Sequence, residues 1–115
     1  MKDKSKRPNK RLNIYISGPM SGLPIEDIEH NFRIGLLEVG MMGFNPINPA
    51  NICRMNLSYE EFMAIDEYIL TQACEGIYML RGWEDSEGAR EELQIAQTMG
   101  LKIMYQEEEM SKVDE

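Results

Sequence analysis

Two carboxylates stand where helical periodicity calls for apolar side chains. After Ser86, a helix turning about 100° per residue places Ala89, Leu93, Ala96 and Met99 on one side. Glu92 falls among them, while Glu91, Gln94 and Thr98 take the opposite side. The preceding helical pattern repeats the departure: Phe62, Ile65, Ile69 and Ala73 define its apolar face, and Asp66 lies on it. A carboxylate that faces a core is costly unless it is paired or hydrogen-bonded. Two of them from different helices point to a site that uses carboxylates, the groups that serve as acid, base or nucleophile. The alternative is structural, with both charges at the helix margin or paired with Arg33, Arg54 or Arg90.

Other residues could complete such a site. Tyr15 alternates with Ile14 and Ile16 in a β-rich run, and near the strand's end its hydroxyl could reach a helix carboxylate; a core tyrosine with some other partner is the plainer reading. Ser17-Gly18-Pro19-Met20-Ser21-Gly22 is a small-residue turn whose backbone N–H groups could cradle an anion. It has neither the dinucleotide fingerprint nor the Walker spacing. Trp83, the only tryptophan, could stack on a base, pin its own loop or fill an interface. His30 has no assignable role, and most of the ten methionines read as adaptable core filler.

The elements that must hold these residues follow from turn and cap signals. Leu12–Ser17 reads as a first strand ending at Gly18-Pro19. Pro24 to Met42 reads as a helix, with Ile25, Ile28, Phe32, Leu36 and Val39 as its apolar stripe and Gly43 as its stop. Phe44–Asn48 reads as a short strand that Pro46 confines to a sheet edge. Asn48-Pro49 opens a loop up to Ser58-Tyr-Glu-Glu61, a capping box that starts the second helix. Gly76–Leu80 is a third strand, Gly82–Asp85 a loop, and Ser86 caps a helix running to Met99 with Gly100 as its stop. Leu101–Tyr105 is the last strand.

The resulting order β-α-β-α-β-α-β predicts a small doubly wound α/β sandwich, its parallel sheet of four strands ordered 2-1-3-4. Such sheets bind ligands at the C-terminal strand ends, here near Ser17–Gly22, Leu80–Gly88 and the helix starts that follow.

Composition narrows the function classes. The chain has 115 residues, 43% hydrophobic and 28% charged, which suits one globular domain. No apolar run approaches the ~20 residues that span a bilayer, and no apolar h-region follows the charged N-terminus. A cytoplasmic protein is expected. Cys53 and Cys74 are too few for a disulfide scaffold and lack metal-ligand spacing. The net charge is −8, yet residues 1–11 carry +5 and residues 106–115 carry −4. The body between them is acidic enough to repel duplex nucleic acid. The two ends read as a basic flexible arm and an acidic tail around a domain at 12–105.

Taken together, Ile14-Tyr-Ile-Ser-Gly-Pro-Met-Ser-Gly22, Asp66 and Gly82-Trp-Glu-Asp-Ser-Glu-Gly-Ala-Arg-Glu-Glu-Leu-Gln-Ile-Ala96 resemble the nucleoside 2-deoxyribosyltransferase-like superfamily. The resemblance spans roughly residues 12–105 and points to a small phage and bacterial branch. Its better-known relatives are nucleoside 2-deoxyribosyltransferases and 2'-deoxynucleoside 5'-monophosphate N-glycosidases. By position it implies that Glu92, four residues after Gly88, is the nucleophile. It also implies that Asp66 serves the base leaving group and that Tyr15 hydrogen-bonds Glu92. Ser17, Gly18, Met20, Ser21, Gly22, Trp83, Ser86 and Gly88 are the substrate-binding candidates. Ser86 stands where the monophosphate hydrolases hold phosphate, which favours a nucleotide, although Glu84, Asp85, Glu87, Glu26 and Asp27 crowd the helix starts unless Arg81 or Arg90 offsets them.

The implied chemistry is cleavage or transfer of an N-glycosidic bond in a nucleoside or its 5'-monophosphate, with no metal or organic cofactor. Relatives assemble, so a homodimer or larger homo-oligomer is expected. Met63, Tyr68 and Leu70, outside the main apolar stripe of the second helix, supply surface for it. A pocket that binds a nucleotide without turnover is the competing reading.

Overall fold

The computed structural model describes residues 7–107. Its sheet forms where β-branched and aromatic residues alternate between short turns. The strands are β1 (Asn13–Ser17), β2 (Asn45–Ile47), β3 (Gly76–Met79) and β4 (Lys102–Tyr105). All three pairings are parallel and the order is β2-β1-β3-β4, the doubly wound arrangement expected from right-handed crossovers. Pro46 sits in β2, the edge strand, as a residue without an N–H must.

Alternation along β1 sorts the molecule into two cores. Ile14 and Ile16 pack with Ile28, Phe32 and Val39 of helix α1 (Ile25–Met41). Tyr15 faces the other way. It joins Leu70 of α2 (Tyr59–Ala73) and Ala89, Leu93 and Ala96 of α3 (Glu87–Thr98). One helix therefore covers one face and two cover the other.

The caps follow local chemistry. Ser58 and Glu61 close a reciprocal capping box at α2, and the Ser86 hydroxyl accepts from Ala89 N–H at the start of α3. Pro24 is the residue before α1 rather than its first helical one: its ψ of 146 is extended, and its carbonyl accepts from Ile28 N–H. The loop after β2 holds a 3-10 turn over Pro49–Ile52, capped by the Asn48 side chain.

Two helix faces differ from the periodic reading. On α2 the fully buried residues are Asp66 and Leu70, whereas Ile65 is 37% exposed. With Phe62, Met63, Ile69 and Ala73 flanking Asp66 as half-buried neighbours, the stripe centres on Asp66. Ile65, about 100° away, falls at its edge. Leu70 thus belongs to the core, and Met63 is half-buried; of the three residues expected to form an outer apolar surface, only Tyr68 is exposed. Met99 follows the end of α3 and is exposed rather than buried, because Gly100 at φ +72 turns the chain there.

The expected basic arm is partly fastened. Arg7 donates to the Glu75 carboxylate and to the Ala73 carbonyl, and Glu75 in turn accepts from Asn13 N–H at 2.7 Å. Residues 1–6 and 108–115, which hold the rest of the arm and most of the acidic tail, lie outside the described residues. Among the described residues, no helix is long and apolar enough to cross a membrane.

Candidate active site

At the C-terminal end of the sheet, β1 delivers two hydroxyls to one carboxylate. Tyr15 and Ser17 are two residues apart, so their side chains leave the strand on the same face. The Tyr15 hydroxyl donates to Glu92 Oε2 at 2.7 Å, and the Ser17 hydroxyl donates to Glu92 Oε1 at 2.7 Å. Glu92 is 6% exposed and Tyr15 fully buried. The buried Glu92 carboxylate is thereby oriented through both of its oxygens.

Asp66 enters from α2. It is also 6% exposed, and its Oδ1 is buried with no hydrogen-bond partner among the described residues. Among the described residues neither carboxylate pairs with an arginine: Arg54 binds Glu29, and Arg90 donates to the Glu84 carbonyl. A buried polar atom left unmatched in a native fold calls for an explanation. Here it lies on a cavity.

That cavity, about 220 Å³, is lined by both carboxylates. Gly18, Met20 and Ser21 form one wall, Ser86, Gly88 and Ala89 another, and Tyr59, Phe62 and Met63 a third. Ile16, Ile28, Phe32, Pro49 and Cys53 complete the apolar lining. Gly18 is needed where β1 passes the end of β3, because a Cβ there would stand 2.9 Å from the Leu80 side chain. A second hollow of about 320 Å³ shares Met20, Ser21, Tyr59 and Ser86 with the first and adds Pro19, Asp85 and Glu87.

Burial dominates the electrostatics. It pushes the Glu92 carboxyl up to about 7, against the opposing pull of the Ser17 and Tyr15 hydroxyls. It pushes Asp66 up to about 6, and raises the Tyr15 hydroxyl well above its ordinary range with help from the two carboxylates. Burial thus raises both carboxyls toward neutrality, and the two titrate as a coupled pair. One carboxylate and one carboxylic acid beside an apolar cavity can attack an electrophile and protonate a leaving group.

The structure brings most of the sequence candidates together and leaves two outside the cavity lining. Glu92, Asp66, Tyr15, Ser17, Gly18, Met20, Ser21, Ser86 and Gly88 meet at the cavity or at its carboxylates. Trp83 does not: its ring packs against Tyr105 with centroids 5.8 Å apart and joins the α2/α3 core. The tryptophan pins its loop. Gly22, at φ +82, serves the turn before α1 and does not line the cavity.

Tyr59 is a lining residue the periodicity missed. As the first residue after the capping box it reads as a solvent-facing helix start, yet its hydroxyl donates to Glu91 and its ring borders both hollows. Burial and the nearby glutamates push it up to about 12. Cys53 also lines the cavity, and as a loop residue it carries no periodic signal. Among the described residues, no group of three or more His, Cys, Asp or Glu could hold a metal ion.

No curated protein matches the chain. Residues 12–105, from the residue before β1 to the end of β4, match the family described as "Domain of unknown function (DUF4406)". That span holds every residue of the carboxylate site, and the chain belongs to this family.

Proposed function

We propose that the protein cleaves or transfers the N-glycosidic bond of a nucleoside or its 5'-monophosphate, with Glu92 as nucleophile and Asp66 as acid. The observation that carries this reading is the buried pair: one carboxylate held by two hydroxyls, the other with an unmatched oxygen, both on one cavity. The resemblance of the three motifs to deoxyribosyltransferase-like proteins supports the same roles.

The chemistry needs few parts. A Glu92 oxygen attacks the anomeric carbon as the bond to the base nitrogen breaks, and that bond's electron pair leaves with the base. Asp66 delivers its proton to the departing base. The glycosyl ester on Glu92 is then attacked by water, or by a second base in transfer, and the attacking group's proton returns to Asp66. Two displacements at one carbon retain its configuration. Tyr15 and Ser17 orient Glu92 and disperse its charge while it is free.

The assembly belongs to the same reading. Tyr59, on the rim of the cavity, and Tyr68, farther along α2, are exposed. A second copy of the chain closes the site in a homodimer or larger assembly. Light scattering at micromolar concentration tests this, and a particle of one chain's mass that cleaves substrate rules it out.

Incubation with a panel of nucleosides and nucleotides tests the activity. Release of free base, lost in Glu92→Gln, supports the reading. Binding without release would instead make the site a nucleotide-holding pocket, and neither would leave the carboxylates a structural role.

A further inference from the structure

The second hollow decides what the sugar's 5' side can carry. It continues the carboxylate cavity past Ser86, along the start of α3. Ser86 there would suit a phosphate if its hydroxyl and the helix N–H groups were available and a cation stood near. The Ser86 hydroxyl accepts from Ala89 N–H and keeps its own proton to donate, so the missing element is the cation. Asp85 and Glu87 line the hollow instead, so the two spaces together carry four acidic lining residues with Asp66 and Glu92. Among the described residues neither lining includes a lysine, arginine or histidine.

The two arginines that could offset this charge keep it but stand outside the lining, hydrogen-bonded to backbone carbonyls. Arg90 donates to the Glu84 carbonyl, and Arg81 to the Glu107 carbonyl on the far side of β3. A helix N-terminus contributes roughly half a positive charge, which does not balance two carboxylates beside it. A phosphate dianion placed there would face like charge with no cation in the lining.

Resting on the glycosidic reading above, we infer that this site takes an uncharged nucleoside and selects against its 5'-monophosphate. The discriminating residues are Asp85 and Glu87. The sugar's 5'-hydroxyl meets the Ser86 end of the cavity as a neutral donor and acceptor. Selection by like charge against a competing ligand is a recognised route to specificity. It departs from the expectation from Ser86 alone, which favours a nucleotide.

The test measures affinity and turnover separately, on the full chain. Calorimetric titration with a purine and a pyrimidine 2'-deoxynucleoside, and with the 5'-monophosphate of each, reads the selection without requiring catalysis. The nucleoside should bind about ten- to hundredfold more tightly than its monophosphate, the scale of like charges juxtaposed at a binding surface. The gap should narrow as salt rises, since exposed carboxylates are screened. In the double variant Asp85→Asn/Glu87→Gln it should shrink by about tenfold or more. Equal or tighter binding of the monophosphate by the wild type overturns the inference, as does a gap that the double variant leaves unchanged. Base release, measured on the same ligands, addresses the glycosidic reading alone: nucleoside binding without release defeats that reading and leaves the charge selection standing. Failure of all four ligands to bind overturns both.

Discussion

The sheet carries two tyrosine–glutamate pairs, one on each face, and only one of them borders a cavity with an unmatched carboxylate. On the α1 face, the Tyr78 hydroxyl donates to Glu38 at 2.8 Å, and Gln106 donates to the same oxygen at 2.8 Å. On the other face, Tyr15 donates to Glu92 at 2.7 Å. The side-chain types and the strand-to-helix geometry are alike. The difference lies in the surroundings. Glu38 is half-buried and bridges a tyrosine and the chain beyond β4, whereas Glu92 is enclosed and shares its cavity with Asp66. One pair fastens β3 to α1. Both pairs border open space, but only the other encloses its charge beside a second carboxylate with an unmatched oxygen, an arrangement that burdens a fold unless a ligand or reaction uses it.

Substituting both glutamates should separate them most widely. Glu92→Gln should reduce base release at least about a thousandfold, as loss of a nucleophile does, while ligand affinity stays within an order of magnitude. Glu38→Gln should leave release within about twofold and lower thermal stability through its weakened hydrogen bonds. Release by Glu92→Gln within tenfold of wild type would dissolve the distinction.

Asp66→Asn comes next. Loss of the acid should cost about 10²–10⁴-fold in base release, and a substrate with an activated leaving group, which needs no protonation, should recover most of it. An equal loss on both substrates would give Asp66 a binding role.

The pH dependence follows from the raised carboxyls. Glu92 is raised from 4.5 to about 7, and Asp66 from 3.8 to about 6. In the unfolded chain these groups release protons first, so folding stability falls as pH rises from about 4 through about 7. Thermal unfolding in this window should show that decline, and Glu92→Gln should flatten its upper part. Turnover should peak where the pair holds one proton, between about 6 and 7. A melting temperature that rises across the same window would contradict the burial of uncompensated charge.

The smallest effect is expected at Ser86. Its hydroxyl caps α3, so Ser86→Ala should lower stability by about 0.5–2 kcal/mol. Denaturant titration measures this, and nucleoside and monophosphate affinities should move together. A selective loss of the monophosphate would restore Ser86 as a phosphate ligand.

Much of this site is legible in the sequence because buried charge breaks a pattern. Asp66 and Glu92 interrupt apolar stripes, and no turn or cap rule accounts for them. The strand order is legible because crossover handedness leaves few arrangements. Trp83 was ambiguous for a different reason: a loop aromatic has no periodic partner, and only Tyr105, from β4, shows which way it turns. Leu70 and Ile65 exchanged places because their separation around α2 depends on where the stripe is centred, which the sheet decides. The hydroxyl of Ser17 and the ring of Tyr59 gain their roles from neighbours distant in the chain, which spacing does not report.

Glu75 gives the N-terminal segment a consequence for how the protein should be cut. Its backbone N–H donates to Asn13, its carbonyl accepts from Lys102, and its carboxylate receives Arg7 and Asn13 N–H. The starts of three neighbouring strands thus converge on one residue, and the last guanidinium contact comes from outside residues 12–105. A fragment trimmed to the family boundary keeps every cavity residue but discards the cation that neutralises this junction. Amide exchange at the starts of β1, β3 and β4 should quicken in that fragment, while the carboxylate end of the sheet, at the opposite pole, keeps its protection. The smallest stretch that holds the cavity residues and the smallest stretch that closes the sheet are therefore different lengths of the same chain.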